Sequence, residues 1–174
     1  IRSGSEKFIG IGISKSHELE GFKLNKKAII LVAESIEKPG NIGALLRTSS
    51  GLGISAFILT NPKTDLYHPN IIRSSLGGIF SIPIIVSSSN DIISFFLKNN
   101  INIVSGALTT NSIPMNKANY NKPCAIVVGS ESKGLEKKWI ENSSEIVKIN
   151  MNNNIDSLNV SVAAAILLKH CIDN

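Results

Sequence analysis

Ala28-Ile-Ile-Leu-Val-Ala-Glu34, then Glu37-Lys-Pro-Gly-Asn-Ile-Gly-Ala-Leu-Leu-Arg47, then Ala56-Phe-Ile-Leu-Thr60 is the stretch that decides the fold. Its two apolar runs are continuous rather than alternating, which is how strands covered on both faces of a parallel sheet read. Between them, Ile42, Leu45, Leu46 and Ser49 share one helical stripe, while Gly43, Arg47 and Ser50 share another. Pro39-Gly40-Asn41 supplies a turn with Asn41 as a candidate N-cap. Arg47 is therefore predicted to point away from the core, with Gly43 one turn earlier leaving it room. Strand, helix, strand in this spacing is the unit of a parallel α/β sheet.

The same alternation continues outward. Strands are predicted at 28–34, 56–60, 82–86, 101–108, 125–129 and 146–150. Helices are predicted at 42–52, 90–98, 135–141 and 159–170. The fold class is α/β, a mostly parallel sheet with helices on both faces. The last helix carries Val160, Ala163, Ala164, Leu167, Leu168 and Cys171 on one stripe, and Ala163 to Ala165 keep its start slim. Residues 110–122 and the run Asn152-Asn153-Asn154 read as loops. Residues 1–27 read as an N-terminal segment or linker remnant ahead of one domain, 28–174. The chain opens at Ile1 without a methionine, so an upstream segment is expected to be missing.

Hydrophobic residues make up 43% of the 174 positions, enough for a real core, and aromatics only 5%, so that core is aliphatic. No apolar run reaches the ~20 residues that span a bilayer, and no secretory signal is visible. A cytoplasmic location is expected. Cys124 and Cys171 lack a CxxC partner and read as reduced core thiols. His17, His68 and His170 are scattered, so no metal site is expected. The net charge of +5 permits an anionic partner such as RNA, though the basic residues are dispersed. Gly51-x-Gly53-x-x-Ala56 follows a helix and enters a strand, the reverse of a dinucleotide fingerprint. That counts against an oxidoreductase on an ordinary doubly wound sheet. Gly129-Ser-Glu-Ser-Lys-Gly134 lacks the ending of a phosphate loop, and its Glu131 would repel phosphate.

Three motifs carry chemistry. They are Glu37-Lys-Pro-Gly-Asn-Ile-Gly-Ala-Leu-Leu-Arg47-Thr48, Ile126-Val-Val-Gly-Ser-Glu131-Ser-Lys-Gly-Leu135, and Ile149-Asn-Met-Asn-Asn-Asn-Ile-Asp-Ser157-Leu-Asn159-Val-Ser-Val-Ala-Ala. In this order they resemble the motifs of the SpoU/TrmH family of RNA ribose methyltransferases, of the SPOUT class. The stretch His68-Pro-Asn-Ile-Ile-Arg73-Ser-Ser-Leu-Gly-Gly-Ile-Phe80 is similar to the family as well.

The resemblance implies a C-terminal trefoil knot, a homodimer with sites near its interface, and S-adenosylmethionine as cofactor. It also implies methyl transfer to a ribose 2′-hydroxyl in tRNA or rRNA. Carried over by position, Gly129, Ile149, Met151, Ser157, Leu158 and Ala107 bind the cofactor. Gly129 lets backbone approach the ligand, and Ile149, Met151 and Leu158 offer an apolar wall. Arg47 matches the catalytic arginine, with Asn41, Glu131, Ser157 and Asn159 around it. Arginine stays protonated in nearly every setting. Arg47 is therefore expected to grip the target phosphate and lower the hydroxyl's pKa, with Glu131 or the phosphate taking the proton. Arg73 either binds RNA phosphate or pairs with an acid. Asn41, Glu131 and Ser157 each have a plainer reading as helix caps, and Arg47 as a surface ion pair. Asn150 and Asn153 stand where the family has proline and glycine. That change motivates the alternative of a non-catalytic RNA-binding protein of the same fold. Within the enzyme class, a resistance factor modifying rRNA is a further alternative.

Overall fold

A computed structural model of the chain describes residues 12–13, 16–152 and 157–174. Seven strands form one sheet in the order β3-β2-β1-β6-β4-β7-β5. They are β1 (Ile29–Glu34), β2 (Ala56–Thr60), β3 (Ile84–Ser87), β4 (Asn102–Gly106), β5 (Ile113–Pro114), β6 (Cys124–Val128) and β7 (Glu145–Lys148). Every pairing is parallel. The helices are α1 (Pro39–Gly51), α2 (Pro69–Ser75), α3 (Gly78–Ser81), α4 (Ser89–Lys98), α5 (Lys137–Asn142) and α6 (Val160–Asp173).

Strand residues alternate between two cores. Leu31, Ala33, Phe57, Leu59, Ile126 and Val128 face α1, α2, α3 and α6. Ile30, Val32, Ile58, Ala125 and Val127 face α4 and Trp139 of α5. Continuous apolar runs are what burial on both faces demands. Leu19, Phe22 and Leu24 also pack on the second core, and the Val86 amide donates to the His17 carbonyl (2.8 Å). Residues ahead of β1 thus cover the outer strand of the sheet.

Several expectations need correction. The stretch 110–122 holds β5 on the far edge and a 3-10 turn, Met115–Lys117. Strands of two residues leave no periodic signal. Helices α2 and α3 are also short, and each opens on a proline or glycine that hides it in the sequence. Asn41 is not an N-cap: α1 starts at Pro39, which is suited to the first helical turn, and Lys38 caps it without a side-chain bond. Gly43 does not make room for Arg47. A Cβ there would lie 1.9 Å from Ser74 Oγ and 2.8 Å from the Ile71 carbonyl, so this glycine admits α2. Asn153 and Asn154 lie outside the described residues.

The histidines have packing roles. His17 bridges the Ile84 carbonyl and the Tyr67 hydroxyl, His68 caps α2, and His170 stands edge-on to Tyr120. Cys124 and Cys171 are free and buried, and the neighbouring Cys171 together with burial holds the Cys124 thiol above its ordinary range. No helix among the described residues is long and apolar enough to cross a membrane.

Candidate active site

Strands β6, β4 and β7 lie side by side, so their carboxyl ends open at one edge of the sheet. Ligands of open α/β sheets bind outside such ends. Here the chain leaving β4 (Ala107, Leu108, Thr109), β6 (Gly129 to Leu135) and β7 (Ile149, Met151) joins Ser157 and Leu158 ahead of α6. Together they enclose a cavity of about 380 Å³. Val160, Ala163 and Leu167 of α6 form its floor side, and Ala163 leaves space that a larger residue would fill. Gly106 admits α6, since a Cβ there would stand 2.8 Å from Leu167 Cδ1. Among the described residues, the charged groups lining the cavity are Glu131, Lys133 and Lys148.

The loop after β6 is the most constrained wall. It doubles back so that Ser130 bridges Gly134. A Cβ on Gly129 would lie 2.3 Å from the Gly134 carbonyl carbon and oxygen and 2.6 Å from the Leu135 nitrogen. The missing Cβ of Gly129 is where its own loop passes, and Gly129 also lines the cavity. Three side chains from the end of β1 to the first turn of α1 hold this loop. The Glu34 carboxylate accepts from the Glu136 amide (2.9 Å), Ser132 Oγ donates to Glu37 Oε1 (3.3 Å), and Asn41 Nδ2 donates to Glu131 Oε1. Asn159 Nδ2 donates to Asn41 Oδ1 (3.2 Å), tying the third motif to the first two.

The six residues expected at the cofactor, Gly129, Ile149, Met151, Ser157, Leu158 and Ala107, all line the one cavity. Glu131 and Ser157 of the polar set line it too, and Asn41 and Asn159 reach it through Glu131. The capping readings give way. Glu136, not Glu131, precedes α5, and Asn159, not Ser157, caps α6 by accepting from the Ser161 amide (2.9 Å).

Arg47 does not line the cavity. It is exposed on α1, beside α3, where Gly78 approaches so closely that a Cβ would meet Arg47 Cα at 3.2 Å. Arg73 is exposed on α2. Among the described residues neither arginine forms an ion pair, nor do Lys133 and Lys148. Lys133, Lys148 and Glu34 escaped the sequence reading. Lys133 stood inside a quoted motif and Lys148 directly before another; adjacency was the only available signal. Glu34 read simply as the last residue of a strand. Burial raises its carboxyl above the ordinary value, against hydrogen bonds from Glu136 and Ser89 that pull it down.

The sequence profile of the SpoU rRNA Methylase family matches residues 28–169. The chain belongs to that family. An uncharacterized tRNA/rRNA methyltransferase of Borreliella burgdorferi is 34% identical over 151 residues, covering 86% of this SpoU chain and 66% of the relative. The crystal structure of an RNA 2′-O ribose methyltransferase superposes with a TM-score of 0.82 at 36% identity, covering 91% of this chain and 61% of that one. An S-adenosylmethionine-bound rRNA methyltransferase from Sinorhizobium meliloti shares the fold, with a TM-score of 0.87 at 24% identity, covering 91% of this chain and 61% of that one. The SpoU chain therefore spans under two thirds of the length of these proteins. Its seven-stranded parallel sheet is the SPOUT methyltransferase sheet, a fold family that implies a C-terminal trefoil knot.

Proposed function

We propose that this chain is an S-adenosylmethionine-dependent methyltransferase that modifies a ribose 2′-hydroxyl in tRNA or rRNA. One observation carries the reading. Residues from the second and third motifs, expected at the cofactor on sequence grounds, line a single cavity at the strand ends together with Ala107. Its volume of about 380 Å³ suits a small ligand. Ile149, Met151 and Leu158 give an apolar wall for a purine, and Lys133 and Lys148 supply positive charge for a carboxylate. When bound, the cofactor supplies an electrophilic methyl group.

The chain's own part is positioning and proton handling. Asn41 engages Glu131 Oε1, which leaves Oε2 to take the proton of a hydroxyl presented at the cavity mouth. Asn159 holds Asn41 in the orientation that donates to Glu131. Arg47, protonated, grips the phosphate next to the target ribose and stabilises the developing alkoxide. Arg73 adds a second phosphate contact. Because Arg47 does not line its own chain's cavity, the reading includes a homodimer in which Arg47 serves the partner's cavity. Exposed Leu76 (69%), Phe80 (58%) and Val162 (47%) support such an interface, since α2, α3 and α6 all pack against α1, which carries Arg47. The enzyme acts in the cytoplasm, where its two thiols stay reduced.

Calorimetric titration with S-adenosylmethionine tests the proposal first. Saturable binding near one site per chain, abolished by the cavity-filling Ala163→Phe, is the expected result. Methyl transfer onto ribosomal or transfer RNA should then leave one linkage resistant to alkali, the signature of a blocked 2′-hydroxyl. Cofactor binding without transfer to any RNA would favour the non-catalytic RNA-binding alternative. No binding at millimolar cofactor would refute the methyltransferase reading.

A further inference from the structure

The cavity wall formed by the loop from Gly129 to Leu135 ends at a group that belongs to the opposite core. Glu34 closes β1 and has no exposed surface. Its Oε2 accepts from the Glu136 amide (2.9 Å), at the point where the loop enters α5. Its Oε1 accepts from Ser89 Oγ (3.0 Å), at the start of α4. Ser89 Oγ in turn accepts from Trp139 Nε1 (3.2 Å) and Asn61 Nδ2 (2.9 Å). A serine hydroxyl has one hydrogen to give and two lone pairs to receive. Ser89 is therefore saturated, and its hydrogen must go to Glu34.

We propose that Glu34 is a positioning residue for the cofactor cavity, with its buried carboxylate fixing the end of the loop that carries Glu131. The function it serves rests on the methyltransferase reading; the geometry does not. The other two ties on this loop, Glu37 to Ser132 and Asn41 to Glu131, lie at the exposed surface, where water competes for them. Glu34 alone holds the loop from inside the protein. The network also specifies a carboxylate. Both its oxygens face donors that have no other acceptor nearby. A glutamine of the same size would turn its amide hydrogens either on Ser89, which has no lone pair left, or on the Glu136 amide, another donor.

Amide hydrogen exchange on the full chain without cofactor tests this directly. In Glu34→Gln, exchange in 129–136 should rise about tenfold or more, the scale of one lost buried charged hydrogen bond, while β6 and α4 keep wild-type protection. Cofactor affinity should weaken by a similar factor. Glu136→Pro gives an independent route should the first variant fold poorly. It deletes the donated hydrogen along with the exposed Glu136–Lys138 ion pair, a weak surface contact, and φ at Glu136 is already −61°, which proline accepts. It should loosen the same segment. As a control, Ile92→Val in the same core should lower thermal stability without selective loosening of the loop. The proposal is overturned if 129–136 keeps wild-type exchange in both variants, or if exchange rises equally across β1, α4 and the loop. A loosened loop in a protein whose wild type ignores S-adenosylmethionine would sustain Glu34 as the loop's anchor and remove only the methyltransferase reading.

Discussion

Asn41 on α1 donates its side-chain amide to Glu131, ninety residues further along the chain, and receives the amide of Asn159 on its own oxygen. That bond fixes the orientation of the carboxylate proposed to take the proton. Asn41→Ala should therefore lower kcat on the order of a hundredfold, while cofactor affinity changes little, because Asn41 does not line the cavity. Asn41→Asp should do more than remove a donor. It sets a second carboxylate against Glu131 where a donor stood, so kcat should fall further than in Asn41→Ala. Steady-state kinetics across pH checks both variants. An unchanged kcat in Asn41→Ala would remove Glu131 from proton transfer.

Two glycines at the cavity should respond differently to a single methyl group. At Gly129 the added Cβ meets backbone at 2.3 Å, and backbone cannot step aside without reshaping the loop. At Gly106 it meets the tip of the Leu167 side chain at 2.8 Å, which can rotate. Gly129→Ala should cost about 1–3 kcal/mol of stability, the usual range for overpacking, and should abolish cofactor binding. Gly106→Ala should cost less and leave binding measurable. Thermal unfolding with and without S-adenosylmethionine distinguishes the two.

The contrast between these glycines marks what the sequence could and could not disclose. Strands such as 28–34 and 56–60 were legible because burial on both faces writes itself as an unbroken apolar run. The α1 stripe of Ile42, Leu45, Leu46 and Ser49 was legible for the same reason, and all four are buried. The two residues of β5 and the short α2 and α3 were not, since none spans more than two repeats of the period that would betray it. Site membership came from motif resemblance, and all six cofactor candidates do line one cavity. The ties of Glu34, Glu37 and Asn41 to the loop at 131–136 span 90 to 102 residues and have no local signature. The purpose of Gly43 was misread because a glycine announces that something comes close, without saying what.

Tyr120 provides a pH-dependent test of the α6 side of the core. It is 5% exposed and its hydroxyl donates to the Met115 carbonyl (2.9 Å). Burial pushes that hydroxyl up to about 12 from an ordinary 10.0. The folded protein thus holds the proton more tightly than the unfolded chain. The resulting stability is present in full below pH 10 and is lost as pH rises toward 12. Tyr120→Phe should be about 1 kcal/mol less stable at pH 8, the worth of one hydrogen bond. That difference should shrink through the alkaline window. Urea unfolding of both proteins from pH 8 to 12 provides the measurement, and a difference that stays constant would place the hydroxyl in contact with solvent.

Arg47 poses the sharpest question, because the side chain matched to the catalytic arginine stands outside its own chain's cavity. If it serves a partner's cavity, two inactive variants should rescue each other. Arg47→Ala retains Glu131 and a complete cavity; Glu131→Ala retains Arg47. In a mixed dimer, the cavity of the first chain meets the arginine of the second, and one intact site results, while the other lacks both groups. Random re-pairing in a symmetric dimer makes half the molecules mixed, so activity should return to roughly a quarter of wild type. The variants should be mixed after mild dissociation, and sedimentation should verify that dimers re-form. Rescue at that level places catalysis across the interface. Re-formed dimers that stay inactive would mean that Arg47 acts within its own chain, with RNA bridging the distance from α1 to the cavity mouth.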